Sequence, residues 1–334
     1  MTRTYTIAVD AMGGDHGPAV TVPAALKSLK NNASLSLVLV GDESQVRAEL
    51  ARHGAGSEAR IRVQHATQVV AMDDPVAVAL RNKRDSSMRV AINLVHEKQA
   101  DACISAGNTG ALMAISRFVL KTHPKIDRPA ICTALPTVKG RVHMLDLGAN
   151  VDSTAEHLWQ FAVMGSILAS AVDGVERPRV ALLNIGQEDI KGNEQIKAAA
   201  QLLAADSSLN YTGFVEGDGV FRGEADVVVC DGFVGNVALK ASEGVAKMFG
   251  EIIKRQINRN LLTKFVGALA LPIWKGLKNE MDPGRYNGAS LVGLNGIVIK
   301  SHGSADVSSF ANALAVAVHE VDKNVPELIG RHLA

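Results

Sequence analysis

Short apolar runs alternate with longer amphipathic stretches along almost the whole chain. The runs read as strands over residues 4–9, 35–40, 61–65, 102–105, 130–134, 142–147, 180–185, 211–215, 227–230 and 296–300. Between them, apolar positions spaced by three and four predict helices over 18–30, 43–53, 87–98, 109–120, 154–172, 194–204 and 305–321. Many strands are apolar on both faces, as in Leu37-Val-Leu-Val40 and Val227-Val-Val-Cys230. That pattern belongs to a parallel sheet covered by helices on both sides. Strand–helix alternation then predicts right-handed crossovers and a doubly wound, mainly parallel α/β sheet of Rossmann-like type. No internal repeat or low-complexity linker interrupts it, so residues 1–334 are expected to form a single α/β catalytic domain.

Residues 245–281 break the alternation and read as a helical excursion with no strand. Val245, Met248, Phe249, Ile252, Ile253, Ile257 and Leu261 recur at helical spacing, and Pro272 is expected to kink or end the apolar run around it. The surrounding charges are mostly basic: Lys247, Lys254, Arg255, Arg259, Lys264, Lys275 and Lys278, against Glu251 and Glu280. Two readings stay open. One is a buried dimer seam. The other is an interfacial membrane anchor that inserts Phe265, Leu269, Leu271, Ile273 and Trp274, with Lys264, Lys275 and Lys278 at the headgroups. The basic face of Lys254, Arg255 and Arg259 also suits an acidic partner.

The chain's 35 Lys and Arg nearly balance its 34 Asp and Glu, which argues against nucleic acid as a partner. No run approaches the roughly 20 apolar residues of a membrane span, and a Gly-rich turn follows Asp10 too early for a signal peptide's apolar stretch. A cytoplasmic protein acting on small molecules is expected. Cys103, Cys132 and Cys230 sit apart in apolar runs and read as small buried core residues. Without a His-Glu-x-x-His motif or a dense carboxylate cluster, no metal is expected.

In an open α/β sheet, ligands bind beyond the carboxyl ends of strands, where loops lead into helices. Those positions hold Asp10-Ala-Met-Gly-Gly-Asp15, Ser105-Ala-Gly-Asn-Thr-Gly110, Asp146-Leu-Gly-Ala-Asn150, Asn184-Ile-Gly, Lys191-Gly-Asn193, Asp231-Gly-Phe-Val-Gly-Asn236 and Lys300-Ser-His-Gly-Ser304. Glycines let backbone amides approach a ligand, and helix N-termini add partial positive charge. Together these loops predict one crevice that holds an anion with N–H groups and neutral amides. The dinucleotide fingerprint, the Walker loop and the Gly-x-Ser-x-Gly elbow are all missing. What remains is a small phosphate-like or acyl-carbonyl ligand held by Asn108, Thr109, Lys191, Asn193, Asn236 and His302.

These runs, with Asp127-Arg-Pro-Ala130 and His302-Gly, resemble the bacterial phosphate acyltransferase family over nearly the whole chain in order. The resemblance implies a fold like those of phosphate acetyltransferases and isopropylmalate-type dehydrogenases. It implies transfer of a long-chain fatty acyl group from acyl carrier protein to inorganic phosphate, giving acyl phosphate for phospholipid synthesis. It also implies a homodimer that touches the membrane peripherally and feeds a downstream acyltransferase that forms acylglycerol phosphate.

Such a transfer needs no cofactor, metal or covalent nucleophile. Phosphate is already largely dianionic near neutral pH, and a thiolate leaves without strong acid help. The protein must desolvate phosphate, align it and stabilise a tetrahedral oxyanion. On this reading Lys191 pairs with phosphate, and Asn108, Thr109, Asn236 and the Gly235 amide form its cage or the oxyanion hole. His302 polarises or protonates the leaving group, and Asp231 is the strand-end acid to test. Gly13, Gly14, Asp15, Gly107, Gly110 and Asn193 complete the phosphate and substrate contacts. The plainer alternatives are a solvated loop lysine at 191, a turn-capping histidine at 302 and a helix cap at Asp231. Two other functions stay open: a short-chain acyl-CoA:phosphate acyltransferase, and a non-catalytic membrane-associated phosphate or acyl sensor.

Overall fold

Among the described residues, eleven strands hydrogen-bond into one sheet: β1 (Tyr5–Asp10), β2 (Leu35–Gly41), β3 (Ile61–His65), β4 (Ala102–Ser105), β5 (Ala130–Thr137), β6 (Gly140–Leu145), β7 (Arg179–Leu183), β8 (Asn210–Val215), β9 (Val227–Val229), β10 (Ala289–Val292) and β11 (Ile297–Lys300). The computed structural model describes residues 4–333, and the side chains of Lys275, Leu277, Lys278, Asn279, Met281 and Pro283 fall outside that description. The proposed headgroup contacts of Lys275 and Lys278 therefore lie outside the described residues.

Strand order is β3-β2-β1-β4-β11-β10-β5-β6-β9-β7-β8. The first five strands in that order are mutually parallel, as are the last four. Between them the pairs β11–β10, β10–β5 and β5–β6 are antiparallel. Mainly parallel is therefore correct, but the two parallel halves point in opposite directions. Sequence periodicity did not reveal β10. It is a four-residue strand between Gly288 and Gly293, too short to carry a signal of its own.

Alternate residues of the strands feed opposite faces. Ile7, Val9, Ala102, Ile104, Ile297 and Ile299 pack beneath α1 (Pro18–Asn31), α2 (Glu43–Arg52) and α12 (Val307–Lys323). Ala8, Cys103 and Val298 face the other way, against α3 (Val76–Asn82), α4 (Ser87–His96) and α5 (Thr109–Leu120). In the second half, Leu145, Val180, Val227 and Val229 pack against α6 (Ala155–Asp173), α7 (Glu194–Ala205) and α13 (Val325–Leu333). A short helix, α8 (Gly217–Arg222), precedes β9. Burial from both sides explains the continuous apolar runs. It also pushes the Cys103, Cys132 and Cys230 thiols above their ordinary range, so these are inert core residues.

The helical excursion is longer than its periodicity implied. α9 spans Gly232–Ile257, and α10 (Leu261–Leu269) and α11 (Leu271–Met281) follow. The break falls at Ala270, and Pro272 lies in the first turn of α11, where a missing N–H is tolerated. Leu261 is 85% exposed and Leu269 69% exposed, and Leu262, Phe265, Val266, Leu271 and Ile273 also face outward. Trp274 is different: it is half-buried, with its indole nitrogen enclosed. Among the described residues, no helix is long and apolar enough to cross a membrane.

Where α12 meets β10, the buried carboxyl of Glu320 accepts a hydrogen bond from Ser290 at the wall of a cavity of about 430 Å³. Burial pushes Glu320 from 4.5 up to about 7. Between those values the folded state binds more protons than the unfolded one, so the native advantage falls as pH rises from about 4.5 to about 7. Glu320→Gln keeps the hydrogen bond but not the charge. Its melting temperature is expected to match wild type near pH 4.5 and exceed it at pH 8. Parallel melting curves across that range would contradict this account.

Candidate active site

The parallel trio β1, β4 and β11 ends at one rim of the sheet. The Asp10 carboxyl is buried there, and its Oδ2 accepts a hydrogen bond from Ser105 Oγ at 2.6 Å. Ser105 Oγ in turn accepts the Gly107 N–H at 3.0 Å, so strand ends and loop are locked together. Gly14 lies so close to its neighbours that a Cβ would fall 2.9 Å from both the Ala106 side chain and the Gly303 carbonyl. Only glycine allows that approach, at a φ of +87°. The Asp15 amide closes the contact by donating to Gly303 at 2.9 Å.

Asn108 begins α5. Its Oδ1 accepts from the Ala111 amide at 3.0 Å, and its Nδ2 donates to the carbonyls of Met72 and Asp74. The side chain is therefore committed to capping the helix and holding the 72–74 loop. Thr109 and Gly110 open the helix, where the first amides have no partner within it. Their N–H groups are the donors this loop offers to an anion.

His302 completes the rim. Its amide donates to Asn287 Oδ1 at 2.8 Å, and its Nδ1 accepts from the Ser304 amide at 3.3 Å. In the neutral ring that network leaves the proton on Nε2. Desolvation of the ring, with the charges of Lys240, Lys300 and Lys247, holds it below its ordinary range. His302 is thus a neutral hydrogen-bond donor at pH 7.

The second parallel set, β6, β9 and β7, ends at a different rim, because strand direction reverses across β10, β5 and β6. The buried Asp146 carboxyl accepts from the amides of Ile131, Ala149 and Asn150 and from Asn150 Nδ2, at 2.7–3.0 Å. Asn150 Nδ2 also donates to the Pro129 carbonyl. The Asp127–Ala130 and Asp146–Asn150 runs are here architecture. Asp231 accepts the Val234 amide at 2.9 Å and caps α9. Asn193 caps α7 in the same way through the Ile196 amide. Asn236 is exposed beside Gly148, and Lys191 is exposed on the loop after β7.

Strand direction corrects the single basin that the sequence implied: the loops open at two rims. α9 joins them. It starts at the second rim and, at 26 residues, is about 39 Å long. Asn236 and Lys240 lie one turn apart on one face of it. Lys240 comes close enough for its charge to act on both His302 and Lys300. A second correction concerns Gly235. Its amide donates to the Asp231 carbonyl within the first turn of α9, so it is not a free ligand donor.

A family model described as "Fatty acid synthesis protein" matches residues 5–328. The chain belongs to that family. It is 63% identical over 324 residues to a phosphate acyltransferase of Alcanivorax borkumensis, covering 97% of this chain and 96% of that one. It is 60% identical to one of Alkalilimnicola ehrlichii, covering 100% of this chain and 97% of its relative. Among solved structures, a phosphotransacetylase from Streptococcus pyogenes superposes with a TM-score of 0.62 at 19% identity, over 96% of this chain and 95% of that one. A branched-chain phosphotransacylase from Enterococcus faecalis V583 gives 0.60 at 16%, over 95% and 99%. At such identities the likeness shows the fold alone.

Lys240 was missed from sequence, and Lys300 was read only as the first residue of the Lys300–Ser304 loop, without a role of its own. Lys240 is hidden by its place inside a long helix, and Lys300 by its place in an apolar strand. Lys300 has one signal, a lone cation at a strand end beside a glycine-rich loop, and Lys240 has only its place one turn after Asn236. Packing around Gly235 sets the entry of α9. A Cβ there would fall 1.9 Å from the Asp146 carbonyl and 2.8 Å from Cys230 Sγ. Gly235→Ala is expected to lower stability by about 3 kcal/mol or more, a large overpacking effect. Chemical denaturation measures it, and a loss below about 1 kcal/mol would show that α9 shifts freely.

Proposed function

We propose that this protein is a phosphate acyltransferase that moves a long-chain fatty acyl group from acyl carrier protein to inorganic phosphate. The observation that carries the reading is full-length identity of about 60% to relatives named phosphate acyltransferase. The cleft's chemistry agrees with it: glycine-rich loops, helix N-termini and neutral amides beside a few cations, with every cysteine buried and inert.

Phosphate sits against the Gly13, Gly14 and Gly107 loops and the Thr109 and Gly110 amides, with Asp15 at the edge. Its oxygen attacks the thioester carbonyl, and the tetrahedral oxyanion collapses to expel thiolate. Neutral His302 donates from Nε2 to the developing charge, and Asn236, one turn from Lys240, contributes a side-chain amide. Lys191, on the exposed loop after β7, is assigned the pairing with phosphate, while Asn108, Asn193 and Asp231 hold the starts of α5, α7 and α9. A donor aimed at the oxyanion is worth roughly 3–4 kcal/mol.

Two copies pair as a homodimer, and the outward apolar side chains Phe265, Leu269 and Leu271 of α10 and α11 touch the cytoplasmic face of the membrane, with Trp274 at their margin. Lys254, Arg255 and Arg259 are exposed and receive the acidic acyl carrier protein. The product, acyl phosphate, passes to an acyltransferase that makes acylglycerol phosphate. The excursion belongs to the same single catalytic domain as the sheet.

Phosphate-dependent thiol release is expected from long-chain acyl-acyl-carrier-protein and not from acetyl-CoA. Release from acetyl-CoA instead would support a short-chain enzyme, and no release from either would support a sensor. Lys191→Ala should lower turnover about 100-fold, some 2–3 kcal/mol, without loss of fold. Wild-type kcat in the folded variant would remove Lys191 from the site. In liposome flotation, Leu269→Glu should float less than wild type, and equal partition would remove that residue from the membrane contact.

A further inference from the structure

Lys300 ends β11 and is only 9% exposed. Its ammonium donates to the Ala106 carbonyl at 3.3 Å and to the Ser301 carbonyl. Ala106 is also where the Gly14 loop and the β4–α5 loop touch, beside the Gly303 carbonyl. One buried cation therefore ties the end of β11 to the β4–α5 loop, on which the Gly14 loop packs.

Among the described residues, no carboxylate lies within ion-pair distance of Lys300. Asp10 and Asp15 attract it from a distance, Lys240 repels it, and His302 stands two residues on. Asp10 Oδ1 is buried without a hydrogen bond of ordinary geometry among the described residues, although Ser105, Ser87 and the Met12 and Gly13 amides favour the carboxylate. A buried ammonium held by two carbonyls and balanced only at a distance gains from an anion placed above the loops it supports.

We propose that Lys300 is a positioning residue for inorganic phosphate, clamping the β4–α5 and β11 loops and supplying the buried positive charge beneath the bound dianion. The inference rests on the phosphate acyltransferase reading and assigns this role to a residue that need not touch the acyl group. Burial lowers the Lys300 pKa to about 8. As pH rises through that value the charge is lost, so phosphate affinity should weaken there.

Two readouts on the full-length protein test it. Phosphate dependence of thiol release gives KM and kcat from pH 6.5 to 9.5, and calorimetric titration with inorganic phosphate alone gives Kd without turnover. Lys300→Met is expected to raise KM and Kd for phosphate at least 30-fold at pH 7, with kcat at saturating phosphate within about threefold of wild type. Wild type should show an alkaline limb in kcat/KM for phosphate near pH 8. Lys300→Arg, which stays charged, should recover most of the affinity and push that limb upward.

Unchanged phosphate KM and Kd in Lys300→Met would overturn the assignment, as would a loss confined to kcat. If the Met variant fails to fold, Lys300→Arg decides alone: a limb still near pH 8 rules the lysine out. Absence of thiol release by wild type would count against the acyltransferase reading instead, while the calorimetric arm would still report on Lys300.

Discussion

Reversal of strand direction in the middle of the sheet is the constraint on which the rest depends. β10 and β5 are the two strands through which five parallel strands on one side meet four oppositely directed ones on the other. Because the carboxyl ends of the two halves open at different rims, neither rim holds all the glycine-rich loops. α9 resolves the separation by starting from Asp231 at one rim and bringing Lys240 within electrostatic reach of His302 at the other. Its start is fixed by tight packing of Gly235 on Asp146, and Asp146 is held by four hydrogen bonds from the 131 and 149–150 backbone and Asn150.

The motifs of this family mix two kinds of work. Asn108, Asn193 and Asp231 each accept an amide three residues on, which is the ordinary behaviour of a helix N-cap. By capping, they also aim the free amides of the first turn out of the helix, where an anion profits from them. Thr109 and Gly110 thus follow from Asn108. A residue that looks like a ligand can serve the ligand best by holding the backbone that binds it.

Buried charge is sparse among the described residues: Glu49 and Glu320 lie away from the loops, and the other three buried Asp and Lys residues lie beneath them. Asp10 and Lys300 lie below the loops of the first rim, and Asp146 lies beneath the start of α9. Burial pushes both carboxyls upward and the lysine downward. Asp146 is compensated by amides, whereas Asp10 keeps one buried oxygen without a hydrogen bond and Lys300 is held by carbonyls alone, with no carboxylate at ion-pair distance among the described residues. That pair is at the rim where phosphate is proposed to bind, as expected when a ligand supplies part of the electrostatic balance.

The alternation of apolar runs and helical spacing determined the class of fold, nearly every strand, and the identity of the loops at strand ends. It did so because burial on both faces leaves a continuous apolar signature. The resemblance carried by the loop motifs added the family. Sequence could not show the four-residue β10, because a strand that short has no period. The mainly parallel sheet was legible, but the reversal of direction through β10 and β5 stayed hidden, because no change in side-chain pattern marks it. Tertiary structure alone decided that the glycine loops divide between two rims and that α9 bridges them. It also decided that Lys300, which in the sequence only opens the Lys300–Ser304 loop, is a buried cation beneath the first rim, because burial and charge balance depend on what the chain packs against.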